Sequence, residues 1–593
     1  MQFIGEHLLP GKIGHFFALL FFCAALVAVY AFFRSATARQ PEEEKSWRRM
    51  ARGAFYIDVA AVFGVLLTII YIVSNHLFEY NFAWEHSSRS MPLQYLFSCI
   101  WEAQEGSFLL WTIWVGVLGL ILIRKARKWE GPVMTVISFV HVCLATMIIG
   151  MYFFGYKVGF NPFILTRQMD WAVNLPFVQR ADYLSFPQFQ DGQGLNALLQ
   201  NYWMTIHPPI LFLGFSSTVV PFAYAIAGLW KRQWDWTRAA LPWTLFSACI
   251  LGTGIMMGAA WAYESLNFGG YWAWDPVENA SLVPWLVMIA GLHTMVIYNA
   301  TGHSLRSTNF FLITQFILIL YSTFLTRSGV LGDTSVHAFV DSGMNLQLGL
   351  FVLVFLLPAY VLFGVRYKAI PHIVKEEATD SREFWMFIGS LVLFLSALFI
   401  IVATSLPVIN KVTKTKLALG DQEFAYNRIE VFIAILVGVL SAVTQYLKYK
   451  GTGWNNFAKK IWRPAAVALV VSGLVSAFGG IDYERYGPGF LGAIHIALFA
   501  AIFAVVANAG YIRIGLKGKL RAAGPAIAHM GFGLMLVGIL ISSAKKRVLS
   551  YNTTGIVLPF SPESKEDPME NLTLLKGVPT DMGAYTATYI DND

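Results

Sequence analysis

"IGHFFALLFFCAALVAVYAFF" occupies residues 13–33 and contains no Asp, Glu, Lys or Arg before Arg34 ends it. An α-helix rises about 1.5 Å per residue, so a run of this length covers the roughly 30 Å hydrocarbon core of a bilayer. It is too long for the apolar stretch of a secretory signal, and no small-residue cleavage site follows, so it reads as a membrane span and not a cleaved leader. Comparable runs follow at 54–74, 107–123, 131–155, 206–229, 239–262, 281–299, 308–325, 347–365, 384–404, 430–447, 464–480, 490–512 and 525–543. The chain of 593 residues is 56% hydrophobic and 13% charged, where a soluble chain carries roughly 25% charged residues. The sequence therefore predicts an all-α polytopic integral membrane protein of about 14 transmembrane helices.

Basic residues sort the connections. Arg34, Arg39, Lys45, Arg48, Arg49 and Arg52 follow the first run, and "RKARK" (124–128) the third. Lys231, Arg232 and Arg238 follow the fifth; Arg366, Lys368 and Lys375 the ninth; Lys448, Lys450, Lys459 and Lys460 the eleventh; Arg513, Lys517, Lys519 and Arg521 the thirteenth. The positive-inside rule makes these loops cytoplasmic and the N-terminus extracytoplasmic. Connections 75–106, 156–205, 263–280, 326–346, 405–429 and 481–489 then face outward. Lys411, Lys414, Lys416 and Arg428 run against the pattern. The organisation expected is a transmembrane domain over 1–543 and an extracytoplasmic C-terminal segment over 544–593. The net charge of +8 belongs to this topology, in contact with membrane lipid, and not to a nucleic-acid partner. Asp58 and Glu430 are the charges within runs, both read as near segment ends, which argues against ion-coupled transport. The four cysteines form no CxxC, so neither thiol-disulfide exchange nor self-attached haem is expected.

The unusual connection is "FGGYWAWDPVENASLVPW" (268–285), part of a stretch from Trp261 to Trp285 with seven aromatic residues. Asp275, Pro276 and Glu278 suit the N-cap, N1 and N3 positions of a helix with a capping box. Pro284 suggests a kink beyond it. Gly269 and Gly270 allow a tight turn or the close approach of something flat. Trp and Tyr also collect at bilayer interfaces, but an interfacial belt is spread over many spans and this is one loop. A planar apolar ligand accounts for it better.

A metalloporphyrin would need axial ligands at matching depth, and histidine is the usual one. On the outer side are His207, expected extended before Pro208-Pro209 with the helix starting beyond them, and His337, in the loop after the eighth run. Within the runs are His141, His293, His495 and His529. His293 lies ~9 Å and His529 ~6 Å from the inner surface by helical rise, which makes them a depth-matched pair. His141 remains open as an alternative by this criterion.

"FGGYWAWDPVENASLVPW" resembles the tryptophan-rich WWD motif of the CcmF/CcsA superfamily of haem-handling proteins in cytochrome c biogenesis. "HPPILFLG" (207–214), "TRSGVLGDTSVHAF" (326–339), "AHMGFGLMLVG" (528–538) and, more loosely, "WEAQEGSFLLW" (101–111) are similar to segments of the CcmF-type haem lyase subunits, in the family's order over nearly the whole chain. Phe268 and Tyr271 stand where the family more often has Trp. Family members also end in an extracytoplasmic domain and a further span.

The resemblance implies a holocytochrome c synthase component of a bacterial inner membrane, with its active face towards the periplasm. It implies that His207 and His337 hold the haem to be transferred, with Trp272, Trp274, Asp275, Gly269 and Gly270 around it. His293 and His529 would hold a permanently bound haem b. The partners implied are a haem chaperone of the Ccm system, apocytochrome c with its CxxCH segment, a thiol-redox lyase subunit and quinol. Asp275 is expected to cap its helix, and Arg327 to reach the interface as a snorkelling cation. Two other readings fit the same histidines: a system II-type haem exporter and ligator, and a b-type cytochrome subunit relaying electrons from quinol.

Overall fold

The computed structural model describes residues 3–196, 199–264, 270–331, 343–374, 377–481, 486–544, 552, 554–556, 572–583 and 585–591. His337, Phe268 and Gly269 lie outside the described residues. Among the described residues, 14 helices are long and apolar enough to cross a membrane. They are α1 (Leu8–Thr37), α2 (Pro41–Ser74), α3 (Gln104–Lys125), α4 (Arg127–Ile149), α5 (Tyr202–Lys231), α6 (Trp236–Glu264) and α7 (Pro276–Thr301). The remainder are α8 (Leu305–Arg327), α9 (Asn345–Ala369), α10 (Arg382–Thr404), α11 (Gln422–Tyr446), α12 (Trp454–Phe478), α13 (Pro488–Ile514) and α14 (Gly524–Ala544). Two three-residue antiparallel hairpins, Met151–Phe153 with Tyr156–Val158 and Pro579–Asp581 with Thr586–Thr588, interrupt the all-helical pattern.

The helices run up and down, so alternate connections meet at two ends. At the basic-loop end Arg52 grips Glu130 with contacts of 2.6 and 2.7 Å, and Lys128 pairs with Asp235. At the aromatic-loop end Tyr80 donates to His7 O at 2.6 Å, and Tyr202 and Trp203 both donate to the Glu264 carboxylate. Three apolar clusters fill the bundle between them. The largest joins α1 to α9, a second α7, α8, α10 and α11, and a third α11 to α14.

Three sequence expectations need correction. Lys45, Arg48, Arg49 and Arg52 lie on α2 itself, which begins at Pro41, because the glutamates at 42–44 favour a helix N-terminus. As a result Asp58 sits in the middle of a 34-residue helix. It is fully buried against His141, with oxygens 3.0 and 3.2 Å from Nδ1. Glu430 is likewise the ninth residue of α11 and accepts from Ser396 Oγ at 2.8 Å.

The third correction concerns His207, which is not extended before its prolines. The helix begins at Tyr202, capped by the Asn201 side chain, and runs through Pro208 and Pro209. Pro208 has no N–H for the Met204 carbonyl; Trp101 Nε1 donates to that carbonyl instead, at 2.8 Å. Further along α5 two helical runs meet at Thr218. Pro221 leaves the Ser217 carbonyl without its helical donor, and Ser247 Oγ supplies one at 2.9 Å.

Candidate haem-handling sites

At the basic-loop end, α7 and α14 each present one histidine. His293 is eight residues before the end of α7 and His529 five residues into α14, about 12 and 8 Å along their axes. Their ring centres are 6.1 Å apart and their planes 13° from parallel. Two metal–imidazole bonds of about 2.0 Å, with half a ring behind each, span roughly 6 Å. The spacing therefore suits one metal ion between the rings. His293 Nδ1–H donates to the Ile289 carbonyl at 2.8 Å, and His529 Nδ1 meets the Gln445 side-chain amide at 3.0 Å. With Nδ1 engaged on both rings, Nε2 is the nitrogen each can offer a ligand when Nδ1 carries the proton. Two neutral imidazoles are a donor set that fits haem iron.

At the other end the capping expectation holds in detail. Asp275 Oδ1 accepts from Val277 N at 2.8 Å, and Glu278 Oε2 accepts from the amides of Ala273 and Asp275 at 3.1 Å. This box fixes where α7 starts and thereby the chain leading into it. Trp274 adopts a left-handed backbone, φ 57°, a conformation that costs a bulky residue energy unless its surroundings hold it. The hold is visible. Its indole stacks on Tyr426 at 5.0 Å and 10°, and Nε1 donates to Asn427 Oδ1 at 2.8 Å. Its carbonyl accepts from Asn279 and Gln422. Trp274 thus fastens the loop to α11. Trp272 meets it edge-on at 6.0 Å, and the Trp272 Nε1 is buried with no partner among the described residues. Among the described residues, nothing stands where a side chain on Gly270 would be.

His207 lies on this end of α5, edge-on to Trp261 at 5.9 Å. A Cβ on Gly258 would stand 2.9 Å from the His207 ring, so glycine there is what lets the imidazole lie against α6. His207 and the Trp261–Tyr271 side of the loop therefore share one end of the bundle, with Tyr271 reaching back to Met256. Arg327 is half-buried at the same end, within electrostatic reach of Glu105. Of the other candidates, His495 is satisfied by Ser476 Oγ at 2.9 Å. His141 is enclosed with Asp58, between Phe21 and Phe55.

Sequence reasoning missed Trp101, Asn427 and Gln445. Asn427 and Gln445 act on site residues, and Trp101 on the helix start before His207, each across more than 80 positions of the chain, and no local pattern marks such pairs.

The family model described as Cytochrome C assembly protein matches residues 101–331, from Trp101 through His207, the aromatic loop and His293. The cytochrome c-type biogenesis protein CcmF of Pseudomonas fluorescens is 30% identical over 516 residues, covering 84% of this chain and 72% of its own. CcmF of Escherichia coli strain K12 is 30% identical over 535 residues, covering 88% and 75%. A solved structure titled Cytochrome c Heme Lyase CcmF superposes with a TM-score of 0.64 at 22% identity, over 91% of this chain and 78% of that one. At that identity the likeness speaks for the fold.

Proposed function

The chain belongs to the CcmF family of cytochrome c-type biogenesis proteins, and on that premise we propose that it is a haem lyase component that joins haem to apocytochrome c. Its substrate haem would sit at the aromatic-loop end, on the periplasmic side of a bacterial inner membrane. The observation that carries the reading is the convergence of His207, Trp261 and the capped aromatic loop at one end, above the facing His293–His529 pair at the other.

The reaction adds two thiols of a CxxCH segment across the two haem vinyl groups. Each C–S bond forms as the thiol hydrogen passes to the other vinyl carbon, so no oxidant is consumed. No nucleophile from this chain is needed. Its contribution is positioning, which accounts for several kcal/mol of barrier in reactions of this kind. His207, with His337 as its counterpart, would ligate the substrate iron, and the ligand on one side would give way to the CxxCH histidine. Trp272 offers a flat apolar face and an indole N–H, while Trp274 and Asp275 hold the loop that presents it. Bound between His293 and His529, a haem b would supply electrons that keep the substrate iron ferrous. The chain's own part there would be to hold both rings neutral, with Nε2 as the nitrogen offered by each. Quinol is the proposed electron source. A haem chaperone and a thiol-redox subunit are the proposed partners that deliver haem and reduced apocytochrome.

The test is to supply the purified protein with ferrous haem and a CxxCH peptide and to measure thioether adduct by mass and by absorption spectrum. Adduct from the unaltered chain, lost in His207→Ala and in Gly258→Leu, is expected. Haem binding with no adduct under any condition would favour the electron-relay reading instead.

A further inference from the structure

We propose that Gln445 is a positioning residue that sets the tautomer and ring plane of His529, and that Arg382 holds Gln445 in place. The proposal rests on the reading of His293 and His529 as an axial pair.

Gln445 belongs to the short 3-10 turn Thr444–Tyr446 that closes α11. A helix end leaves carbonyls without donors, and here one side chain takes them up. Arg382 Nε reaches the carbonyls of Thr444 at 3.2 Å and Leu447 at 2.8 Å, and its Nη2 reaches the Gln445 carbonyl at 2.6 Å. The Arg382 backbone N–H donates to Lys448 O at 2.9 Å. From the other side Tyr446 donates its hydroxyl to Ala507 O at 2.8 Å. The turn is therefore gripped by the start of α10 and the last third of α13, and the Gln445 backbone has little freedom.

Its side chain crosses to α14, where Nε2 lies 3.0 Å from His529 Nδ1. A half-turn of the amide exchanges nitrogen and oxygen in place, and the two orientations select different tautomers. With NH2 towards the ring, Nδ1 accepts and the proton sits on Nε2, which then cannot bind a metal. With oxygen towards the ring, Nδ1–H donates and Nε2 presents its lone pair to His293 across the gap. The ligating state is the second. Its hydrogen bond also raises the basicity of Nε2. His293 obtains the same effect from a backbone carbonyl, Ile289 O, which no substitution can remove. Gln445 is the side-chain handle on the pair.

The test uses the full-length protein purified with its haem, comparing Gln445→Leu and Gln445→Glu with the unaltered chain. Gln445→Leu removes the acceptor. Haem retention should weaken about 10–100-fold, the midpoint potential should rise, and the low-spin ferric EPR signature should shift. Gln445→Glu keeps the shape and strengthens the acceptor, so retention should hold, the potential should fall, and the ring orientation seen by EPR should stay native. Arg382→Ala should move the signals in the direction of Gln445→Leu, less far. Unchanged potential, retention and EPR signature in Gln445→Leu overturn the proposal while leaving the axial pair standing. If that variant does not accumulate, an unchanged potential in Gln445→Glu overturns it equally. Full haem content in His529→Ala removes the axial pair, and the role of Gln445 with it.

Discussion

His293 and His529 project from long helices at the basic-loop end, each with Nδ1 engaged by a neighbour that the fold itself holds in place. His207, at the other end, is also five residues into its helix, α5, but that helix start contains Pro208 and leans on the indole of Trp101 for the Met204 carbonyl. Around it the Trp261–Trp285 stretch leaves its helix, turns through a left-handed tryptophan, and is fastened at Asp275 and Trp274. The first arrangement is preorganised on rigid elements, as suits a group that stays. The second is a loop held at a few points, as suits a cargo that must arrive, react and leave. On the proposed function, the difference in support between the two ends would set how long each holds its haem, even though the proposed ligand residues are of the same type.

The largest effect that could break this contrast is loss of resident haem. His293→Ala and His529→Ala should each empty the purified protein of constitutive haem, measured as pyridine haemochrome per mole of protein. His207→Ala should leave that content intact and lose only haem added from outside. Equal loss from all three variants would mean that the two ends share one site.

The next effect concerns stability and removes a competitor. Asp58 and His141 form a fully buried pair in the half of the bundle built from α1 to α4. Removing one partner from such a pair costs about 3–5 kcal/mol, so Asp58→Ala should lower the unfolding midpoint in detergent sharply. Haem per folded molecule should not change. If His141→Ala instead empties the resident site without destabilising the fold, the axial assignment moves from His293 and His529 to His141.

The same contrast explains which features were legible in the sequence. The spans were readable because charge-free length alone decides them, and the Asp275–Glu278 capping box because its spacing is local. The depth match of His293 and His529 followed from helical rise. The start of α5 is not legible because Pro208 ordinarily ends a helix, and the donor that rescues the Met204 carbonyl is Trp101, 103 positions upstream of it. The anchoring of Trp274 is hidden for a similar reason, since its stacking on Tyr426 and its bond to Asn427 join segments about 150 residues apart. Local pattern carried the scaffold, and tertiary partners decided the roles at the aromatic-loop end.

The two tryptophans supply the third test. Trp274→Ala removes a stacked ring and a hydrogen bond and should cost ~3 kcal/mol of stability, loosening the loop and reducing adduct formation together. Trp272→Phe keeps a smaller flat face and removes the indole N–H, which has no partner among the described residues. It should leave the unfolding midpoint in place and weaken only the retention of added haem. Matching stability losses in the two variants would make both tryptophans structural and leave the loop without a ligand-facing member.

The smallest effect is one of pH, and it should fall on the aromatic-loop end alone. His86, outside the spans, is in contact with Glu102 at 2.8 Å, next to Trp101, whose indole completes the start of α5. Burial lowers the His86 pKa, but the bond to Glu102 and the field of the nearby glutamates outweigh it, and the net shift is upward from the ordinary 6.5. A histidine whose folded-state pKa is raised contributes stability that is fully present below its unfolded value and lost as pH rises through the folded one. Retention of added haem should therefore decline modestly as pH rises through the range above 6.5, while resident haem content stays flat. Glu102→Gln removes the charge that holds the proton on His86, so in that variant the decline should shift to lower pH. A decline that keeps its midpoint in Glu102→Gln would mean that the helix start beneath His207 does not depend on this pair.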